Sequence, residues 1–153
     1  MAPPLHRTLL ALALIGCGTA LPGEGGGVID DPMSLSGAWL VSRTLVISPA
    51  AEPDFPLQVL YPVGFRTQDT WVFTVTGQRA MVSVDGSTAE GTFAQGQWTF
   101  SYQLDAGSGV RDDATLTVTS TAPRLRGTMS HRYTTRASQR VWLEVWTLEG
   151  TRQ

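Results

Sequence analysis

The chain contains one cysteine in 153 residues, Cys17, and no lysine or asparagine. A single cysteine excludes an internal disulfide, so the folded part must hold together by packing and sheet hydrogen bonds. The lack of lysine makes all 11 basic side chains other than histidine arginines, which fits the coding bias of a GC-rich genome. Arginine differs from lysine in geometry and hydration, so a functional demand for guanidinium groups stays open beside that reading. Charge is scarce as well. Charged residues make up 16% of the chain, below the usual quarter, and the formal net charge is −2. That balance excludes a general electrostatic attraction to nucleic acid or to anionic headgroups. Histidine is limited to His6 and His131, too few for a multi-histidine metal centre, and no Gly-x-Ser-x-Gly marks a nucleophile. These absences favour a chain without catalytic residues, metal or cofactor. The paired acids Asp30-Asp31 and Asp112-Asp113 read as solvated residues of tether and turn.

Long apolar runs are missing too. The longest N-terminal stretch, Thr8 to Ile15 (TLLALALI), follows His6 and Arg7. As a helix it would rise about 13 Å against a hydrocarbon core of roughly 30 Å, which suits a signal-peptide h-region and not a membrane span. It ends in Leu14-Ile15-Gly16-Cys17. An ordinary secretory signal cleaved after Ala20 is the other reading of this segment. Leu14-Ile15-Gly16-Cys17 resembles the lipobox of bacterial lipoproteins: a branched apolar residue, a tolerant position, a small residue at the cut and then the thiol to be alkylated. The resemblance implies a signal peptide over 1–16 and a diacylglycerol thioether on Cys17. It also implies a palmitate-type acyl chain on the new amino terminus. Two or more acyl chains hold a protein stably on a membrane, where one does so marginally. Gly18 is not the aspartate that retains some lipoproteins at the inner membrane, so the resemblance implies an outer-membrane place in the cell envelope. Residues 17–33 then form a Gly- and Pro-rich tether, spanning roughly 20–24 Å if coil-like. Gly25-Gly26-Gly27 has no strand before it or helix after it and is no phosphate loop.

From Ser34 to Gln153 the pattern changes to period two. Trp98, Phe100, Tyr102 and Leu104 alternate with Thr99, Ser101 and Gln103; Trp71, Phe73 and Val75 do the same against Val72, Thr74 and Thr76. Leu116 and Val118 share a face, as do Leu125, Gly127, Met129, His131 and Tyr133. Turn-forming residues recur about every ten positions, at Gly77, Gly86, Gly96, Gly109, Pro123 and Ser138, and no helical stripe follows Cys17. Strands are expected near 36–47, 57–65, 69–76, 79–85, 88–94, 97–104, 112–120, 124–134 and 139–148. The second is weakened by the prolines of 48–62. This is an all-β domain over 34–153, a single antiparallel up-and-down barrel of about eight strands, with a β-sandwich as the alternative.

Gly37-Ala38-Trp39 at the start of the first strand is similar to the Gly-x-Trp opening of lipocalins and avidin-like barrels. The resemblance implies that Trp39 closes one barrel end, that a basic residue such as Arg136 or Arg140 covers it, and that ligands enter at the other end. The second lipocalin motif is not found.

Alternation sets three ionisable side chains among apolar neighbours. Arg43 falls with Trp39, Val41 and Leu45; His131 with Met129 and Tyr133; Glu144 between Trp142 and Trp146. Charges on a buried face are costly unless paired, so either a salt bridge or a polar ligand site is expected. A one-residue bulge would reverse the faces, and on the last strand Val141, Leu143 and Val145 would serve equally as core. Arg43, His131, Tyr133, Glu144 and Trp98 are therefore the candidate ligand contacts. The expected function is a lipid-anchored, non-enzymatic binder of a small apolar ligand or an envelope protein. The alternative is a structural lipoprotein with a filled barrel and protein binding on loop 48–62.

Overall fold

A computed structural model describes residues 31–49, 52, 54–57, 61–84, 86–106 and 109–153. The apolar stretch, Cys17 and the tether up to residue 30 lie outside the described residues. After a short 3-10 turn, Pro32–Leu35, eight strands follow: β1 Gly37–Ile47, β2 Arg66–Thr76, β3 Arg79–Val84, β4 Ser87–Ala94, β5 Gln97–Asp105, β6 Val110–Thr121, β7 Arg124–Thr135 and β8 Val141–Arg152. Each pairs antiparallel with the next, and β8 pairs with β1, from Trp39 opposite Arg152 to Ile47 opposite Val145, so the sheet closes into a barrel. The expected all-β, eight-stranded, up-and-down barrel is formed, and the sandwich is not. Closure leaves no sheet edge to pair with another chain.

The strand expected at 57–65 is replaced by a loop among its described residues. Phe65 N–H donates to the Pro62 carbonyl at 3.0 Å, turning the chain back toward β1, and a proline cannot donate to a strand ladder. The lost segment is made up by β2, which begins at Arg66, three residues before its expected start. The folded unit also begins earlier than Ser34. Asp31 caps the 3-10 turn, its Oδ1 accepting from Met33 N–H at 2.9 Å, so Pro32 and Met33 are structured and not tether.

Up-and-down topology gives the barrel two distinct ends. The lower end carries the start of β1, the β2–β3, β4–β5 and β6–β7 hairpins and the end of β8. The upper end carries the long 48–65 connection, the turn at Gly86, the connection at Gly109 and the 136–140 turn.

Inward positions of the lower half are apolar and tightly packed: Trp39, Phe73, Trp98, Phe100, Leu116 and Leu148 are each at most 2% exposed. Gly91 is part of this packing. It lies opposite Phe100 in the β4–β5 ladder, and a Cβ at Gly91 would stand 2.4 Å from the Phe100 ring. Only a residue without a side chain lets that ring lie flat on the neighbouring strand.

The 3-10 turn plugs the lower end. Leu35 is fully buried and its carbonyl accepts from Trp39 Nε1 at 2.8 Å, while Ser34 Oγ and Ser120 Oγ share a hydrogen bond of 2.7 Å. A guanidinium does cover Trp39, but it belongs to Arg152, 5.3 Å from the ring centroid, and not to Arg136 or Arg140. The Arg152 Nη2 also donates to the carbonyls of Ser34 and Ser36. Arg136 and Arg140 sit in the β7–β8 turn at the upper end, the far end from Trp39.

Candidate functional site

In the upper half the inner face changes character. Arg43 on β1, Asp112 on β6 and His131 on β7 are buried, at 9%, 4% and 6% exposure, and Glu144 on β8 is half-buried. Alternation brings them inward for the same reason that it brings their neighbours: every second residue of each strand faces the axis. Trp142, Glu144 and Trp146 thus point in, and Val141, Leu143 and Val145 do not form the core of β8; Val141 and Leu143 are exposed. No register reversal separates Arg43 from Val41 and Leu45. The only β1 irregularity in its pairing with β8 lies beyond them, between Leu45 and Ile47.

Arg43, His131 and Glu144 line a cavity of about 550 Å³ beneath the 48–65 loop. Its lining includes Arg43, His131, Tyr133, Glu144 and Trp146, with Leu57, Tyr61 and Phe65 contributed by the loop. Tyr61 and Phe65 stack at 4.0 Å between centroids, and Phe65 meets Trp146 edge-on at 6.3 Å. Phe55 makes edge contacts with Tyr133 and Trp142 at 5.4 and 5.6 Å, so the loop covers the mouth with rings. A larger depression of about 920 Å³ lies on the outer face of β1, β2, β7 and β8. It is lined by solvated side chains such as Ser42, Arg66, Gln68 and Glu149, and it has no buried charge.

The polar groups of the cavity are tied into pairs. Arg43 Nη2 bonds Asp69 Oδ2 at 2.8 Å, and its guanidinium lies between the rings of Trp71 and Trp146, 5.9 and 5.7 Å from their centroids. Cation–π contact on both sides and a carboxylate in reach compensate its desolvation. Trp146 Nε1 donates to Glu144 Oε1 at 2.7 Å. Tyr133 lies within the electrostatic reach of Glu144. Burial first, then the negative charges of Glu144 and Asp112, push the Tyr133 phenol well above its ordinary range. His131 Nδ1 lies 2.8 Å from Asp112 Oδ2, its ring stacked on Tyr133 and edge-on to Tyr102. The Asp112 carboxylate accepts that bond, so Nδ1 carries the proton. Asp112 Oδ1 and Trp142 Nε1 are buried without a hydrogen-bond partner among the described residues.

Four of the candidate residues, Arg43, His131, Tyr133 and Glu144, therefore meet at one cavity. Trp98 does not join them. It is 1% exposed at the lower end of β5, against Phe93 and Phe100. Asp112 corrects the sequence reading in the other direction. Expected in a solvated turn, it lies on β6 with its side chain in the barrel, while its neighbour Asp113 points outward to Arg111 and Gln103. Extending the Leu116–Val118 alternation back through Ala114 would have turned Asp112 inward. Among the described residues no cluster of three His, Cys, Asp or Glu side chains could hold a metal ion. No helix there is long and apolar enough to cross a membrane.

The chain matches no family model, no curated protein and no solved structure.

Proposed function

We propose that this protein is a lipid-anchored component of a bacterial cell envelope, held through Cys17, that binds a small, mainly apolar ligand in the upper cavity without transforming it. The observation that carries this reading is the contrast within one barrel: a lower half packed solid and an upper half left open for about 550 Å³. Ligand sites are concave and mostly apolar, with a few placed polar groups, and commonly enclose roughly 300–1,000 Å³. A barrel of eight strands is just wide enough either to be filled or to hold one small ligand. The lipocalin-like part of the reading is supported by Trp39 at the plugged end with Arg152 across it. The anchor rests on Leu14-Ile15-Gly16-Cys17 and the outer membrane on Gly18. The described fold starts at the lower end, so a tether from Cys17 would enter there and the mouth would open at the opposite end.

Loop-based protein binding has one observation in its favour: Tyr61 and Val63 in the 48–65 loop are exposed at 41% and 64%.

The test uses the full chain with Cys17→Ser, which removes the acylation site. That variant is expected to leave the membrane fraction, and persistent membrane association would sink the anchor. Titrated with a fatty acid and with a hydrophobic dye, it should give a saturable change in tryptophan fluorescence through Trp146 and Trp142. No saturable change with either, nor with the small aromatic probes used below, would sink the cavity reading and favour the loop.

A further inference from the structure

We propose that the ligand of the upper cavity is a cationic amine: an ammonium head held by Glu144 and His131 against the rings of Trp146 and Tyr133, with a short aromatic or aliphatic body along Phe65 and Leu57. This rests on the reading of the cavity as a ligand site and names the class of molecule that it takes.

The first argument is the sign of the unused hydrogen-bonding capacity. His131 uses its Nδ1 proton on Asp112, so in the neutral ring Nε2 is an acceptor. His131 lines the cavity, and Nε2 makes no hydrogen bond to the described residues. Glu144 accepts from Trp146 Nε1, which leaves carboxylate lone pairs for a ligand, since a carboxylate accepts about four bonds. Both of these lining groups are acceptors, so they call for a donor; the unpartnered donor Trp142 Nε1 is not part of the lining. A carboxylate or a phosphate brings none, and a hydrocarbon leaves both unmatched.

The second argument is charge. Arg43 is matched by Asp69 at 2.8 Å. Glu144 and Asp112 then remain, Asp112 hydrogen-bonded to His131 and Glu144 to Trp146 Nε1. The cavity and its hydrogen-bonded partners thus hold three carboxylates, Asp69, Asp112 and Glu144, against one guanidinium, Arg43. The Tyr133 phenol is raised by burial first and then by the charges of Glu144 and Asp112. An ammonium group would satisfy the charge and the acceptors together, and charge-assisted bonds in a water-poor site are about twice as strong as neutral ones.

The third argument is the wall. Trp146 already faces one cation, Arg43, and Tyr133 presents a second ring beside Glu144. Aromatic faces around a carboxylate are a favourable environment for an ammonium. The cavity volume would accommodate an arylalkylamine with room for water or for a longer body.

Isothermal titration of the full chain carrying Cys17→Ser with three probes of one shape decides the matter: phenethylamine, phenethyl alcohol and phenylacetate. The amine is expected to bind at least about tenfold tighter than the alcohol, with phenylacetate weakest. Glu144→Gln should bring the amine down to the level of the alcohol and leave the alcohol unchanged. Equal affinity for amine and alcohol, or tightest binding of phenylacetate, would overturn the amine while leaving the cavity reading intact. The same holds if a fatty acid binds and none of the three probes does. If neither the probes nor the fatty acid and the dye bind, the cavity reading falls and the amine with it. Should Glu144→Gln fail to fold, the ranking of the three probes on the unsubstituted cavity still decides.

Discussion

The lower and upper halves of the barrel are built from the same eight strands, yet they hold opposite kinds of interior. Below, Trp39, Phe73, Trp98, Phe100 and Leu116 fill the space and a 3-10 turn seals it with Leu35. Above, a guanidinium, a carboxylate and an imidazole line an unfilled volume, with Asp69 and Asp112 paired behind Arg43 and His131. Burial of apolar area stabilises a fold by roughly 25 cal/mol per Å², whereas a buried ion pair is often no better than an apolar pair of the same size. The lower half thus has the interior that stability favours. The upper half has an interior that stability alone would not select, which is the physical ground for assigning function to it.

Substitutions in the two halves can break or sharpen this contrast. The largest loss is expected from Phe100→Ala, about 3–5 kcal/mol by urea unfolding, because the ring is fully buried between Phe73 and Trp98. A loss under about 1 kcal/mol would mean that the lower half is not the stabilising core. Next comes His131→Leu, at about 3 kcal/mol, since it strands the Asp112 carboxylate in the barrel. Adding Asp112→Leu to it should return stability to within about 1 kcal/mol of the starting protein. If the double variant stays as unstable as the single one, the polar pair is structural and the contrast fails.

Arg152→Ala should cost about 1–2 kcal/mol through the lost contact with Trp39 and the freed carbonyls of Ser34 and Ser36. Ligand affinity at the upper end should not move, and titrating both variants with one dye checks this. The smallest effect concerns Tyr133. Its folded phenol is raised above the unfolded value, so below a pH of about 10 both states keep the proton and stability is unaffected. Above that, the unfolded chain ionises first and stability falls as the pH rises. In Tyr133→Phe the fall should be shallower, as read from thermal midpoints across the alkaline range.

Much of the site was legible because strand periodicity is a local property. Arg43 falls inward with Trp39, Val41 and Leu45 by alternation, whereas for Glu144 alternation offered two faces and the pairing of β8 with β1 and β7 chose between them. Three positions were not legible, each for a different reason. Asp112 stands beside Asp113, and two adjacent acids look like a turn until the pairing of β6 with β7 sets Asp112 opposite Tyr133. Trp98 faces inward as expected, but height along the barrel depends on where β5 begins, and that puts it low. The partner of Trp39 was sought in the β7–β8 turn, although in an up-and-down barrel the start of β1 lies beside the end of β8.

By itself the sequence determined the β class, most of the inward faces and most of the hairpin positions, because alternation and turn chemistry act within a few residues. It also carries the lipobox-like Leu14-Ile15-Gly16-Cys17. Only the tertiary structure decided that the sheet closes, which end is plugged and which polar side chains meet. Those outcomes depend on register between strands distant in sequence. A pair such as Asp112 and His131, 19 residues apart, exists only once that register is fixed.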